Sequence, residues 1–302
     1  MTARRWGIGL YAPAGFATDP AAVERAVRAL EAAGHRVVVD STCATRWQRF
    51  SAPDDERLAA VMRMVDDPAV EVALALRGGY GWSRLLPRLD FPAIARAGKR
   101  WLGHSDFTAF QLALLAATGT PSYAGPMAAY DFGAPAPSAF TLDHCWRVLG
   151  ASSAVAACAL DGPDLACEGT LWGGNLAMVA HLVGTPHLPA IDGGILFLED
   201  IGEQPYRVER MLCQLHMAGI LRRQRAVLLG VFNGYQAGAN DNGYDMAAVV
   251  AYARSAFGVP VYTGLPFGHC PDKWTLPVGG RCALAVRSGA GEFTFSDYGG
   301  EA

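Results

Sequence analysis

The sequence predicts an α/β fold: an N-terminal parallel-sheet α/β domain followed by a smaller, less regular C-terminal α/β domain. Three observations lead there. Short apolar runs alternate with amphipathic stretches through the first half of the chain. The texture changes between about residues 131 and 166, and a looser alternation returns afterwards.

Taken in order, "WGIGLYAP" reads as a strand. "DPAAVERAVRALEAAGH" reads as a helix, with Asp19 as N-cap, Pro20 in the first turn and Gly34 at the stop. "RVVVD" is a buried strand, "PDDERLAAVMRMVDD" a second helix and "VEVALAL" another strand. "KRWLG" and "DFTAFQLALLAAT" repeat the alternation. Short apolar strands between amphipathic helices imply a mostly parallel sheet covered on both faces. In such sheets a site lies beyond the carboxyl ends of the strands, where "RGGYG" and "GHSD" both fall. "DFGAPAPSAF" is rich in Pro, Ala and Gly, and "GASSAVAACALDGPD" has no strong period. Residues 1–135 are therefore assigned to the first domain, 136–166 to a linker and 167–302 to the second. That second domain carries the strand "GILFLED", the helix "QPYRVERMLCQLHMAG", the strand "RAVLLGVF" and a β-rich ending.

Composition excludes several function classes. With 302 residues and a hydrophobic fraction of 51%, the chain can bury a large core, and 18% charged residues are too few for disorder. A net charge of -3 without a run of Lys and Arg gives no basic face for nucleic acid. The short "LRRQRA" reads as a solvated helix end. Seven cysteines form no CxxC pair, and an odd number argues against a disulfide framework, so reduced thiols and a cytoplasmic location are expected. No apolar run approaches the roughly 18 residues of a membrane span. Arg4 and Arg5 imitate an export signal, but Gly7, Gly9 and Pro13 break the apolar stretch behind them, and a first strand is expected there instead.

Ser105, between His104 and Asp106, has two readings. On a sharp strand-to-helix turn a serine is held exposed, with the next backbone N–H free for an oxyanion. Equally, Ser105 or Asp106 is a cap for the helix that follows. The G-x-S-x-G elbow is absent, since Phe107 occupies its last position. Gly78, Gly79 and Gly81 in "LRGGYGW" let backbone approach a ligand, or simply make a tight turn. No G-K-[ST] follows to make a phosphate loop. A serine nucleophile needs an imidazole base and a carboxylate to orient it. His269 in "GLPFGHC" and Glu199 in "ILFLED" are candidates. Cys270 offers a thiol alternative without a second partner. Trp82, Trp172 and Trp274 are cleft or core residues.

The blocks "RGGYG", "GHSDFTAF", "GTLWGGNLAMVAHLVGTP", "LFLEDIGEQPYRVERML" and "GLPFGHCPDKWTLPVG", in this order, resemble the LD-carboxypeptidase family of serine peptidases. The resemblance implies Ser105 as nucleophile, Glu199 as triad acid and His269 as base, with the amides of Gly79 and Asp106 as oxyanion hole. It also implies a homodimer that uses no cofactor and no metal. His104 departs from the tyrosine often found beside the nucleophile. A terminal carboxylate on the substrate needs a cation, and Arg84, Arg207 and Lys273 lie in the matching blocks. Glu203 and Arg207, four apart on a helix, make an ordinary surface pair equally well. The implied activity is removal of the terminal D-alanine from murein tetrapeptides in wall recycling, a small-peptide substrate with no nucleic-acid or membrane partner. Hydrolysis of a microcin-type peptide–nucleotide amide is the alternative. A murein-peptide-binding protein without catalysis is the alternative from another class.

Overall fold

The computed structural model describes residues 4–299. The first half alternates as the sequence predicts. In order come β1 (Gly7–Tyr11), α1 (Ala21–Ala32), β2 (Arg36–Val39), α2 (Asp54–Asp66), β3 (Val72–Ala75), α3 (Trp82–Leu85), α4 (Phe91–Arg96), β4 (Arg100–Gly103), α5 (Phe107–Thr118) and β5 (Ser122–Ala124). β1 and β3 are buried along their whole length, as strands covered on both faces must be. α1 buries Ala22, Ala26 and Leu30, spaced four apart along one face, and leaves Glu24, Arg28 and Glu31 to solvent.

Next come α6 (Ala139–Leu149), β6 (Ala154–Ala159), β7 (Leu165–Asn175), α7 (Leu176–His181), β8 (Ile195–Ile201), α8 (Pro205–Met217), β9 (Ala226–Asn233), α9 (Met246–Ala256), β10 (Val261–Thr263), β11 (Leu276–Val278), β12 (Arg281–Arg287) and β13 (Ala290–Ser296). They build a second sheet, in the order β10-β9-β8-β7-β12-β13-β6. β7 to β10 run parallel, while β12, β13 and β6 are antiparallel.

The expected linker at 136–166 is corrected here. α6 packs on the first domain, its Trp146 ring 4.4 Å from His35 and 5.6 Å from Phe132. β6 is the edge strand of the second sheet. Its alternation is carried largely by alanines, whose small side chains leave little hydrophobic contrast to read. The chain also crosses back: β11 pairs antiparallel with β5, so the first sheet runs β11-β5-β4-β3-β1-β2. Among the described residues no helix is long and apolar enough to cross a membrane.

Candidate active site

Ser105 occupies the turn between β4 and α5 with φ +65°, a left-handed conformation that is uncommon for a residue other than glycine. The helix-cap reading fails on geometry. Asp106 makes no side-chain cap, and its Oδ2 instead accepts from the Trp82 N–H at 3.1 Å. Ser105 Oγ points away from the helix to His269 Nε2 at 3.1 Å. The loop after β3 lies directly against this turn. A Cβ on Gly78 would fall 2.6 Å from Ser105 Cβ and 2.7 Å from its Oγ, so only glycine fits there. Gly79 and Asp106 both line the cavity beside Ser105. Among the described residues neither backbone N–H has a hydrogen-bond partner within the protein.

The second sheet supplies the other side. His269 sits in the segment between β10 and β11, after Gly268 at φ +138°. A Cβ on Gly268 would meet Val231 O at 3.0 Å and Glu199 Cβ at 3.2 Å, so this glycine lets the segment press onto β8 and β9. Asn233 Nδ2 holds the His269 carbonyl at 2.9 Å. His269 Nδ1 meets Glu199 Oε2 at 2.7 Å. Glu199 is fully buried, and the β8–β9 register slips between Leu198 and Asp200. This bulge breaks the strict alternation, and both Glu199 and Asp200 are buried.

Asn175, at the end of β7, ties the two carboxylates together. Its Nδ2 donates to Asp200 Oδ1 at 2.9 Å and to Glu199 Oε1 at 3.3 Å. Its backbone N–H donates to Thr108 Oγ1 at 3.0 Å, which joins α5 to the second sheet within one turn of Ser105. Burial raises the Asp200 carboxyl to about 6, with the Glu199 charge adding to it against the hydrogen bonds from Asn175, Ala177 and Ile201. Burial likewise raises Asp106 to about 6, opposed by the Trp82 hydrogen bond and the Arg57 charge.

His104 lies beside this chain, its ring 5.1 Å from that of His269. Its Nδ1 is 2.8 Å from the Gly125 carbonyl, which can only accept, so the proton sits on Nδ1. Burial, then the charges of Lys273 and His269, hold its pKa well below the ordinary histidine value. His104 is therefore neutral at neutral pH and has no contact with Ser105 Oγ that would make it the base.

The site opens into a cavity of about 770 Å3. Of the three cations expected to read the substrate, Lys273 lines it, buried and ion-paired with Asp131. The other two are corrected. Arg84 does not reach the cavity: it bonds Asp54 at 2.7 Å, alongside the fully buried Arg57. Arg207 faces solvent, bonded to Tyr206 Oη at 3.1 Å and 3.8 Å from Glu203. Both stand on helices whose outward faces sequence proximity cannot distinguish from inward ones. Trp82, Trp172 and Trp274 are core, not cleft. The Cys270 thiol bonds to the Gly268 and Asp272 carbonyls, and burial pushes its pKa up, away from a thiolate. Sequence reasoning missed Asn175, which bridges the two carboxylates, and Arg77, which lines the cavity. Arg77 was legible as the residue preceding the glycines, while Asn175 carried no signal before the β7–β8 pairing was known. Among the described residues no group of three His, Cys, Asp or Glu side chains is arranged to hold a metal ion.

A two-sheet fold with a serine, a histidine and a buried glutamate meeting between the sheets is the architecture of a hydrolase. Residues 8–125 match the LD-carboxypeptidase N-terminal domain and residues 168–284 the LD-carboxypeptidase C-terminal domain, and the chain belongs to that family. A murein tetrapeptide carboxypeptidase of Pseudomonas aeruginosa is 32% identical over 290 residues, covering 92% of each chain. The crystal structure of a muramoyltetrapeptide carboxypeptidase from Oxalobacter formigenes superposes with a TM-score of 0.91 at 46% identity, covering 97% of this chain and 99% of that one. A Microcin C7 self-immunity protein of Escherichia coli is 26% identical over 262 residues, 76% of this chain and 75% of its own.

Proposed function

We propose that the protein is a serine LD-carboxypeptidase that removes the terminal D-alanine from murein tetrapeptides, in the cytoplasm and as a homodimer. The observation that carries this reading is the hydrogen-bonded sequence from Ser105 Oγ to His269 Nε2 to Glu199 Oε2, at 3.1 and 2.7 Å, beside a cavity wide enough for a small peptide. His269 takes the Ser105 proton as Oγ attacks the carbonyl of the amide joining the diamino acid to D-alanine. Glu199 holds the imidazole with Nε2 facing Ser105 and stabilises the imidazolium. The Gly79 and Asp106 amides receive the oxyanion, each donor being worth on the order of 3 kcal/mol. His269 then protonates the departing amine, and water releases the acyl-enzyme. Lys273, with Asp131, lies where it can order the peptide, and the Glu203 carboxylate on the cavity wall suits the ammonium of a diamino acid.

The test is mass spectrometry of L-Ala-D-Glu-diaminopimelate-D-Ala incubated with wild type and with Ser105→Ala. Loss of one alanine with wild type alone is the expected result. An intact peptide with both overturns the murein reading, and cleavage of a peptide–nucleotide amide by the same wild type would put the microcin-type reaction in its place. Light scattering in solution checks the dimer.

A further inference from the structure

The proposed reaction cuts one residue from a chain end, so the site has to distinguish a free terminal carboxylate from a continuing chain. Lys273 is a poor instrument for this, because Asp131 already neutralises it in a buried pair. Arg84 and Arg207 lie outside the cavity, and Arg49, which also lines it, is exposed, so water competes for its donors.

Arg77 is placed differently. It follows β3 and directly precedes the Gly78–Gly79 loop, and it lines the cavity. One side of its guanidinium is anchored: Nη1 donates to the Phe16 carbonyl at 3.0 Å. Its Cζ lies 5.4 Å from the centre of the Tyr130 ring, which also borders the cavity. The other edge is uncommitted. Nε is buried without a partner, and among the described residues Nη2 has none either and no carboxylate pairs with the group. Nε and Nη2 form the parallel N–H pair that grips a carboxylate through both oxygens. That edge is flanked by glycines. A Cβ on Gly15 would lie 3.2 Å from Nε, and one on Gly79 would lie 3.6 Å from Nη2. A departing residue's carboxylate lies about 4 Å beyond the carbonyl that is attacked, one residue along the chain. With that carbonyl oxygen at the Gly79 amide, Arg77 is the nearby cation with free donors.

We infer that Arg77 is the specificity-determining residue that binds the α-carboxylate of the departing C-terminal residue and makes the enzyme an exopeptidase. This inference rests on the proposed hydrolase reading of the site and adds the group that recognises the chain end.

The experiment compares the tetrapeptide as its free C-terminal acid and as its C-terminal amide, with wild type, Arg77→Gln and Arg77→Lys. The ratio of kcat/KM for the two substrates does not depend on how much of each variant is folded, which matters because Arg77 also holds the Phe16 loop. Wild type is expected to prefer the acid by about 100-fold, from a charge-assisted pair lost with the amide. Arg77→Gln is expected to bring the ratio close to one, and Arg77→Lys to lie between, since a point charge lacks the two-pronged fit. Retention of the wild-type ratio by Arg77→Gln overturns the inference and leaves the hydrolase reading standing. So does equal cleavage of acid and amide by wild type. A free-acid tetrapeptide left intact by wild type overturns the murein reading and, with it, this assignment.

Discussion

On the first sheet's side of the cavity Ser105 is held by backbone conformation, whereas on the second sheet's side Glu199 and His269 are held by side-chain hydrogen bonds. The turn that carries Ser105 has that residue at φ +65°, packed against a glycine that admits no Cβ. The other side buries two adjacent carboxylates bridged by one asparagine. Strained backbone survives where the surrounding structure over-determines it, so the first half of the site depends on packing. Buried carboxylates survive where hydrogen bonds satisfy them, so the second depends on polar partners.

The most severe test replaces the group on which both sides converge. Ser105→Ala is expected to lower kcat by about 10⁴-fold or more while the protein remains folded, as initial rates and a thermal melt would report. Next in size, Glu199→Gln keeps the shape of the side chain but removes the charge that, in the proposed mechanism, stabilises the imidazolium. A fall in kcat of about 10³- to 10⁴-fold is expected. A fall below tenfold would mean that the Asn233 contact and the backbone alone position His269, which would break the contrast drawn between the two sides. Gly78→Ala addresses the packing side: its methyl would displace Ser105, and a loss of about 100-fold in kcat is expected. Unchanged activity would show that the loop can yield.

Asp200→Asn sharpens the polar side through stability. A carboxyl raised to about 6 in the fold, from the ordinary 3.8, favours its neutral form there. Asp200 therefore makes its full contribution to stability below about pH 4 and loses it as pH climbs to about 6. Relative to Asp200→Asn the loss is on the order of 3 kcal/mol and complete above that range. Urea denaturation of both proteins at pH 4 and pH 7 reads it out, and a difference that does not change with pH would mean that the hydrogen bonds outweigh burial. The smallest effects belong to Arg84→Gln and Arg207→Gln. Both side chains are substantially exposed and paired outside the cavity, and kcat/KM is expected to stay within about twofold.

Local pattern was enough for the elements of the first half. The 3.6 period of α1, the continuous apolar runs of β1, β3 and β8 and the turn after β4 are consequences of short-range sterics and burial, and they can be read from neighbouring residues. The proposal that a serine after β4, a glutamate in β8 and a histidine after β10 carry the reaction came instead from the resemblance of five ordered blocks to the LD-carboxypeptidase family, since the residue types alone left Ser105 between nucleophile and helix cap. What could not be read locally was which distant groups meet. The return of Leu276–Val278 to the first sheet and the β8–β9 register slip at Glu199 arise from strand pairing between segments far apart in sequence. Asn175 gains its two carboxylates only when β7 lies beside β8, and Arg84 turns out to serve Asp54, 30 residues away, rather than the cavity. A side chain's partners are set by long-range packing, and periodicity, which reports on a few neighbouring residues, carries no information about it.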